Sequence, residues 1–470
     1  MEPLPRCDYF RTSSRDPMED RLREIARAAV IRPRPQKICM VVPPSSQVPT
    51  PGREFLVTGP FEGFTYIATL IKKMGFTLRT IDCRLKEDPV GLVLEGAKGA
   101  DLVCIATFCD SFVFLEQVTQ SLRQRYPGLR ILLGGPLVTS LPEVLLQNTA
   151  ADFAVLGEAE LTLIELLDRL FTGADPDLAS VKGMAWRSPS GLRVNAPRPQ
   201  IKDLDNLPDL DYTIWPNYQD ILKSGQILIS SMRGCPHECS FCFKTIPLLR
   251  FKSLERFEAE VAALKTATGF TYTWLNDLTF NSDPERAMKV CRILHKHGVR
   301  YHCFARVQKV GPEFVRTLKE TGCEGLWLGI ESCDQQVLDA NRKNIRLEEI
   351  DQAVRSASEA GLAVRGLFIV GLYGETEESL RAMMEYIRAS KFLPLVKYLV
   401  PFPGTSLYHH AVAKGKIPDT VAFLRMLSVR KIRDFDDEII NLTELPDETL
   451  RRYFHEIWKI TEEREACAGA

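Results

Sequence analysis

The sequence predicts an α/β chain of two successive parallel-sheet units and a small helical tail. Three observations predict it. Short apolar strands alternate with helices over residues 37–172. The alternation restarts at Ile227 and runs through six strand–helix units to about residue 410. Between the two runs, residues 173–226 change character, with a hairpin pattern and a polar, proline-containing connector. Alternation of this kind argues for parallel sheets covered by crossover helices. The division expected is a lead over 1–36, a doubly wound Rossmann-like unit over 37–172, a linker over 173–226, a partial (β/α)6 barrel over 227–410 and a helical region over 411–470.

Composition narrows the classes. A chain of 470 residues should hold two or three domains. A net charge of −1 implies no broad basic face, so no nucleic-acid partner is expected. No apolar run reaches the ~18–20 residues needed to span a bilayer. Residues 1–23 are charged and lack the apolar core of a secretory signal. Thirteen cysteines in a chain this long do not suggest a disulfide framework, so a reducing cytoplasm is the expected location.

The elements follow in order. Residues 37–42 form an apolar run that stops at Pro43-Pro44, a buried strand meeting a loop. Residues 45–62 are rich in Pro, Gly and Ser and read as loop. A helix over 63–74 stops at Gly75. Strands follow at 78–81, 101–107, 130–133 and 153–156, with helices over 112–126 and 160–170. Ligands of doubly wound sheets sit at the carboxyl ends of the strands. The candidates there are Pro44, Ser45, Thr107, Gly134, Gly135, Pro136 and Gly157. Gly134-Gly135 after a strand lets a flat ligand approach the backbone. Neither G-x-G-x-x-G nor a P-loop is present, so no nicotinamide or ATP site is indicated.

In the linker, residues 181–187 and 192–194 flank a Ser-Pro-Ser-Gly turn and read as a hairpin. The strand at 227–230 then leads into Arg233-Gly234-Cys235-Pro236-His237-Glu238-Cys239-Ser240-Phe241-Cys242. Three thiols spaced C-x3-C-x2-C can wrap one small inorganic body, at the strand end where α/β barrels keep their chemistry. A zinc knuckle is the competing reading, with His237 or a remote Cys as fourth ligand. Cubane iron–sulfur clusters are commonly held by four Cys. With three, one iron stays open to bind another molecule.

Cys235, Cys239 and Cys242, with the aromatic Phe241 before the last, resemble the signature of the radical S-adenosylmethionine (SAM) enzymes. Val42-Pro43-Pro44, Gly134-Gly135-Pro136 with Leu141-Pro142-Glu143, and Gly157-Glu158-Ala159-Glu160 are similar to the cobalamin-binding domain fused to many of them. The resemblance implies a [4Fe–4S] cluster on the three cysteines. Its open iron would bind SAM, which an electron cleaves to a 5′-deoxyadenosyl radical. It also implies cobalamin on the N-terminal unit, and it matches Glu331 and Arg306 to SAM's ribose and Ile369 and Gly371 to its adenine. Asn276 and Asp277 are strand-end candidates for SAM, with Asp277 equally a turn cap and Glu331 alternatively a structural salt bridge. The first histidine is His237, so the N-terminal unit has no imidazole for the lower face of cobalt.

The activity implied is methylation of an unactivated carbon (or phosphorus) of a small molecule, with methylcobalamin as donor. An external reductant such as flavodoxin or ferredoxin would supply the electron. Cyclisation, ring contraction or oxidation with the same cofactors stays open, as does an N-terminal unit that holds no corrinoid. A methylthiotransferase fits less well, because Cys39, Cys83, Cys104 and Cys109 form no cluster pattern. A non-catalytic metal scaffold is the alternative from another class. Glu375 reads as either a helix-start residue or a catalytic carboxylate. The stripe Tyr453, Phe454, Trp458 in the tail reads as a packing face.

Overall fold

The computed structural model describes residues 4, 15–28, 33–44, 61–84, 86–172, 177–223, 227–244, 246–429 and 439–468. Ser45 and most of the loop expected at 45–62 lie outside the described residues.

The first sheet holds β1 (Lys37–Val42), β2 (Thr77–Asp82), β3 (Leu102–Ala106), β4 (Arg130–Gly134), β5 (Phe153–Val155), β6 (Met184–Ser188) and β7 (Gly191–Val194), in the order β2-β1-β3-β4-β5-β6-β7. Its first five strands are parallel. Residues 38–42, 102–106 and 153–155 are buried along their whole length, as strands covered on both faces must be. The helices Glu62–Lys73, Phe112–Arg125 and Ala159–Thr172 match the expected ones. Short helices at Pro89–Gly96, Pro136–Ser140 and Pro142–Asn148 were not expected. Eight residues or fewer give too little periodicity to read. The linker hairpin is not a free connector. Its strand β6 pairs antiparallel with β5 and extends the first sheet.

The second sheet holds β8 (Leu228–Ile229), β11 (Tyr272–Leu275), β12 (Arg300–Arg306), β13 (Cys323–Glu331), β14 (Val364–Val370) and β15 (Leu393–Tyr398), all parallel and in chain order across the sheet. A small antiparallel pair, β9 (Met232–Arg233) and β10 (Arg250–Phe251), flanks the cysteine loop. In β12, Tyr301, Cys303 and Ala305 pack into the core under the helices. By the period of two, His302, Phe304 and Arg306 face the bore of the half-barrel. The tail divides its work. Phe454 of the helix Asp447–Ala468 stacks on Tyr398 of β15 at 4.1 Å, confirming the packing face read from the stripe. The helix Thr420–Val429 reaches back to the first unit, where Ser428 accepts from Val113 N and Arg425 pairs with Glu116.

Candidate functional site

The cysteine loop is built by close packing on one side and polar anchors on the other. Gly234 has φ +88°, and a Cβ there would meet Leu248 O at 2.0 Å. Only glycine fits this entry. Cys235 N donates to Ile246 O, and Cys242 N donates to Cys239 O. Ser240 is fully buried, donates from its backbone N to Asn341 O at 2.9 Å, and accepts from Leu407 N. Its hydroxyl lies 2.9 Å from Asn341 Oδ1. The loop thus hangs between β9, the residues after β13, and the start of the tail.

Cations surround it. Arg306 Nη1 donates to Cys239 Sγ at 3.6 Å, and Arg306 also holds Lys343 O. Lys343 Nζ lies 6.0 Å over the Phe241 ring. Lys244 donates to His237 O. Burial, then Arg306, Lys343, Lys244 and Lys309, push the His237 imidazole down to about 4. His237 is therefore neutral near pH 7. Cys242 is exposed by area, yet its thiol is enclosed. Burial, then Cys239 and Cys235, push it up to about 12. No three His, Cys, Asp or Glu among the described residues converge on a single ion. Three thiols at this spacing inside a ring of cations suit a larger anionic body, which Cys235, Cys239 and Cys242 would hold as thiolates.

Glu331 stands beside this loop. Its φ is +71°, an uncommon value for a residue with a side chain, and β13 breaks register there. Its Oε1 accepts from Lys343 Nζ at 2.7 Å with both side chains nearly buried. Gly329 makes the room, since a Cβ there would lie 2.8 Å from Glu331 Oε1 and from Lys343 Nζ. Lys343 carried no sequence signal, because it follows a helix over residues 335–340 that the sequence did not reveal. Ile369 is half-buried on β14, and Gly371 at its end has φ +93°. Gly371 N donates to Glu375 Oε2 at 2.6 Å. Glu375 Oε1 is buried without a partner, and burial pushes this carboxyl up to about 8.

A cavity of about 350 Å³ separates the two units. Gly134, Gly135, Pro136 and Gly157 line one wall; Arg233, Gly234 and Asn276 line the other. A Cβ at Gly134 or Gly157 would meet nothing within 4 Å, so both backbones face open space. Phe61, Phe64 and Phe108 add an aromatic wall, and Phe61 lies 4.6 Å from Phe108. The cavity has no histidine among its described residues. A flat macrocycle fits a cradle of this kind, with apolar rings and bare backbone on its walls.

Three expected contacts fall elsewhere. Thr107 is fully buried, and its hydroxyl accepts from Val138 N, so it braces the turn after β4. Pro44 is half-buried and outside the cavity lining. Asp277 is buried; its carboxylate accepts from Ser231 N, Ser231 Oγ and Met232 N, and burial pushes it up to about 6. It fixes the approach to the cysteine loop. The stretch Gly157-Glu158-Ala159-Glu160 also does more than line a ligand wall. Arg233 lies 3.1 Å from Glu158 and 2.8 Å from Glu160, and Arg250 pairs with Glu158 at 2.8 Å. Burial opposes the ionisation of Glu158, but Arg250 and Arg233 outweigh it and hold its carboxyl below the usual range. Beside this cluster, Lys252 binds Glu260 and Tyr66, while Ser230 donates to Glu62 at 2.9 Å from its backbone and 2.6 Å from its hydroxyl. Arg233, two residues before the first cysteine, thus ties the two units together. The N-terminal thiols are packing groups: burial pushes Cys39, Cys83 and Cys109 up to about 12.

Comparisons with known proteins agree with this geometry. The model of the radical SAM superfamily matches residues 229–387. The model of the B12 binding domain matches residues 55–167. An uncharacterized methyltransferase of Pyrococcus horikoshii is 27% identical over 392 residues, covering 81% of this chain and 84% of that protein. An anaerobic magnesium-protoporphyrin IX monomethyl ester cyclase of Rubrivivax gelatinosus is 26% identical, over 72% of this chain and 63% of its own length. The solved structure of the radical SAM methyltransferase TsrM from Kitasatospora setae, with cobalamin and a [4Fe–4S] cluster bound, superposes with a TM-score of 0.67 at 17% identity, over 81% of this chain and 78% of that one. That likeness shows the shared fold. With both domain models matched in order on one chain, and the three-cysteine loop inside the second, the chain belongs to the cobalamin-dependent radical SAM enzymes, whose cofactors are a [4Fe–4S] cluster, SAM and cobalamin.

Proposed function

We propose that this chain is a methyltransferase acting on an unactivated carbon (or phosphorus) of a small molecule. The observation that carries the reading is the cavity between the units. It is walled by the glycine-rich strand ends on one side and by Arg233-Gly234, the lead-in to the cysteine loop, on the other. When bound, the cluster and SAM supply a carbon radical, and cobalamin supplies a methyl group. On this reading, residues 37–172 hold the corrinoid and residues 227–410 generate the radical.

The chain's own residues position and enclose. Cys235, Cys239 and Cys242 hold the cluster, and Arg306, Lys343 and Lys244 balance its negative charge. Glu331, whose Oε1 accepts from Lys343, would hold the ribose hydroxyls of SAM. Ile369 and Gly371 flank the adenine, and Phe241 covers the loop. Gly134, Gly135, Pro136 and Gly157 would line the corrinoid side of the cavity, with Asn276 on the opposite wall. The Arg233–Glu158–Arg250 cluster fixes the spacing of the two units. The reductant is a flavodoxin or ferredoxin of the cytoplasm, and the substrate is not a nucleic acid. No helix among the described residues is long and apolar enough to cross a membrane.

The test is protein expressed with cobalamin and purified without oxygen. A full complement of cluster iron, an equivalent of corrinoid and reductant-dependent release of 5′-deoxyadenosine are expected. A methylated product then establishes the transfer. Iron without corrinoid removes the methyl donor and overturns the proposal. The similarity to the cyclase favours a second reading, ring closure with the same cofactors. A product lacking two hydrogens, rather than one heavier by a methyl, selects it.

A further inference from the structure

The opposite end of the half-barrel holds a second cavity, of about 470 Å³. It opens at the amino ends of the strands and is lined by Tyr272, Trp274, Arg300, His302, Trp327 and Arg365, with Lys223 and Glu324 among the remaining residues. Its walls come from neighbouring strands in register: Trp274 opposite His302, and Trp327 opposite Arg365. Four residues of β12 separate His302 from Arg306, about 13 Å at strand rise. The cavity is therefore distinct from the cluster, SAM and corrinoid walls.

Packing does not require this composition. Barrel interiors fill with branched aliphatics, and the amino-end face ordinarily serves stability. Here Trp274 stacks on His302 at 4.8 Å and 21°, and meets Trp327 edge-to-face at 4.9 Å and 81°. The Arg365 guanidinium lies 5.3 Å over the Trp327 ring. The Trp327 indole N–H is buried without an acceptor. The Tyr272 hydroxyl and His302 Nδ1 are 2.5 Å apart and hold the imidazole edge in place. Burial, then Arg365, push His302 down to about 4, so it is a neutral ring near pH 7. The charged lining residues are Lys223, Arg300 and Arg365 against Glu324, which pairs with Arg300. Glu465 stands 3.9 Å from Arg365, at the long limit of an ion pair. The volume lies within the range of small-molecule pockets. Aromatic faces with a surplus of cations match the two halves of one kind of ligand.

We propose that this cavity is a second binding site, which takes a planar aromatic carboxylate: its ring lies against Trp274 and Trp327, and its carboxylate meets Arg365. The ligand enters from the amino-end face of the barrel, away from the cofactors. The proposal does not depend on the methyl-transfer reading.

Calorimetry on the full-length holoenzyme tests it with two probes, indole-3-acetate and naphthalene-2-carboxylate, and with indole and acetate as half-ligands. Saturable binding of a probe is expected, with each half-ligand about tenfold weaker, since a charge-assisted hydrogen bond or a stacked ring contributes at least that factor. Arg365→Gln should weaken the probe about tenfold and leave indole unchanged. Trp327→Leu should weaken both. Arg365 is partly exposed, so its variant keeps the readout should Trp327→Leu not fold. Absence of saturable binding by both probes, or binding that Arg365→Gln does not change, overturns the proposal.

Discussion

The sharpest prediction concerns Gly234. A Cβ there would stand 2.0 Å from Leu248 O and 2.6 Å from Leu248 C. Both are backbone atoms that no rotamer change can move. Contacts under 3.0 Å are essentially never seen for real Cβ atoms, so Gly234→Ala must separate the segments by at least 1.0 Å. That opening falls next to Cys235, whose N–H bonds Ile246 O across the same gap. The φ of +88° adds about 1–2 kcal/mol of backbone strain for alanine. The control is Gly269→Ala, which also has positive φ, +72°, but nothing within 4 Å of its Cβ. Both variants lose the backbone contribution in a thermal melt. Only Gly234→Ala should also lose cluster, read as iron and sulfide per chain after anaerobic reconstitution and as visible absorbance. If Gly234→Ala binds the same iron as Gly269→Ala, the argument that glycine sets the cysteine loop's position fails.

Three further predictions follow the same logic. Lys343→Met leaves the Glu331 carboxylate buried without its ammonium, at a cost of about 3–5 kcal/mol; adding Glu331→Gln should recover much of it in denaturant unfolding, and equal losses for single and double variants would refute the pairing. Glu375 has a raised pKa in the folded chain, so its contribution is full below the unfolded value near 4.5 and is lost as pH rises toward about 8. Glu375→Gln should therefore flatten the fall in melting temperature between pH 6 and pH 8, and an unchanged slope would assign that fall elsewhere. Phe454→Ala removes the ring stacked on Tyr398 and should cost about 3–5 kcal/mol of stability, measured by circular dichroism.

Much of this protein could be read without coordinates. Hydrophobic patterning located the parallel strands of both sheets, because strands buried on both faces read as short apolar runs, several of them ending at glycine or proline. The spacing of Cys235, Cys239 and Cys242 identified the loop, since three thiols within one loop need no tertiary partner to be recognised. Other features were invisible because they depend on which distant residues meet. Nothing near Gly157 announces that Glu158 and Glu160 turn toward Arg233, more than seventy positions away, and bind the two units together. Asp277 at a strand end read equally as a ligand contact or a turn cap, and only folding showed its oxygens committed to Ser231 and Met232. Lys343 became legible once the left-handed turn at Glu331 brought the two side chains together. The sequence by itself determined the kinds of unit, their order and the cluster loop, because local pattern and close spacing encode those. The tertiary structure decided the partner of each charge and which strand-end residues face a cavity, because burial and desolvation act between segments that sequence order keeps apart.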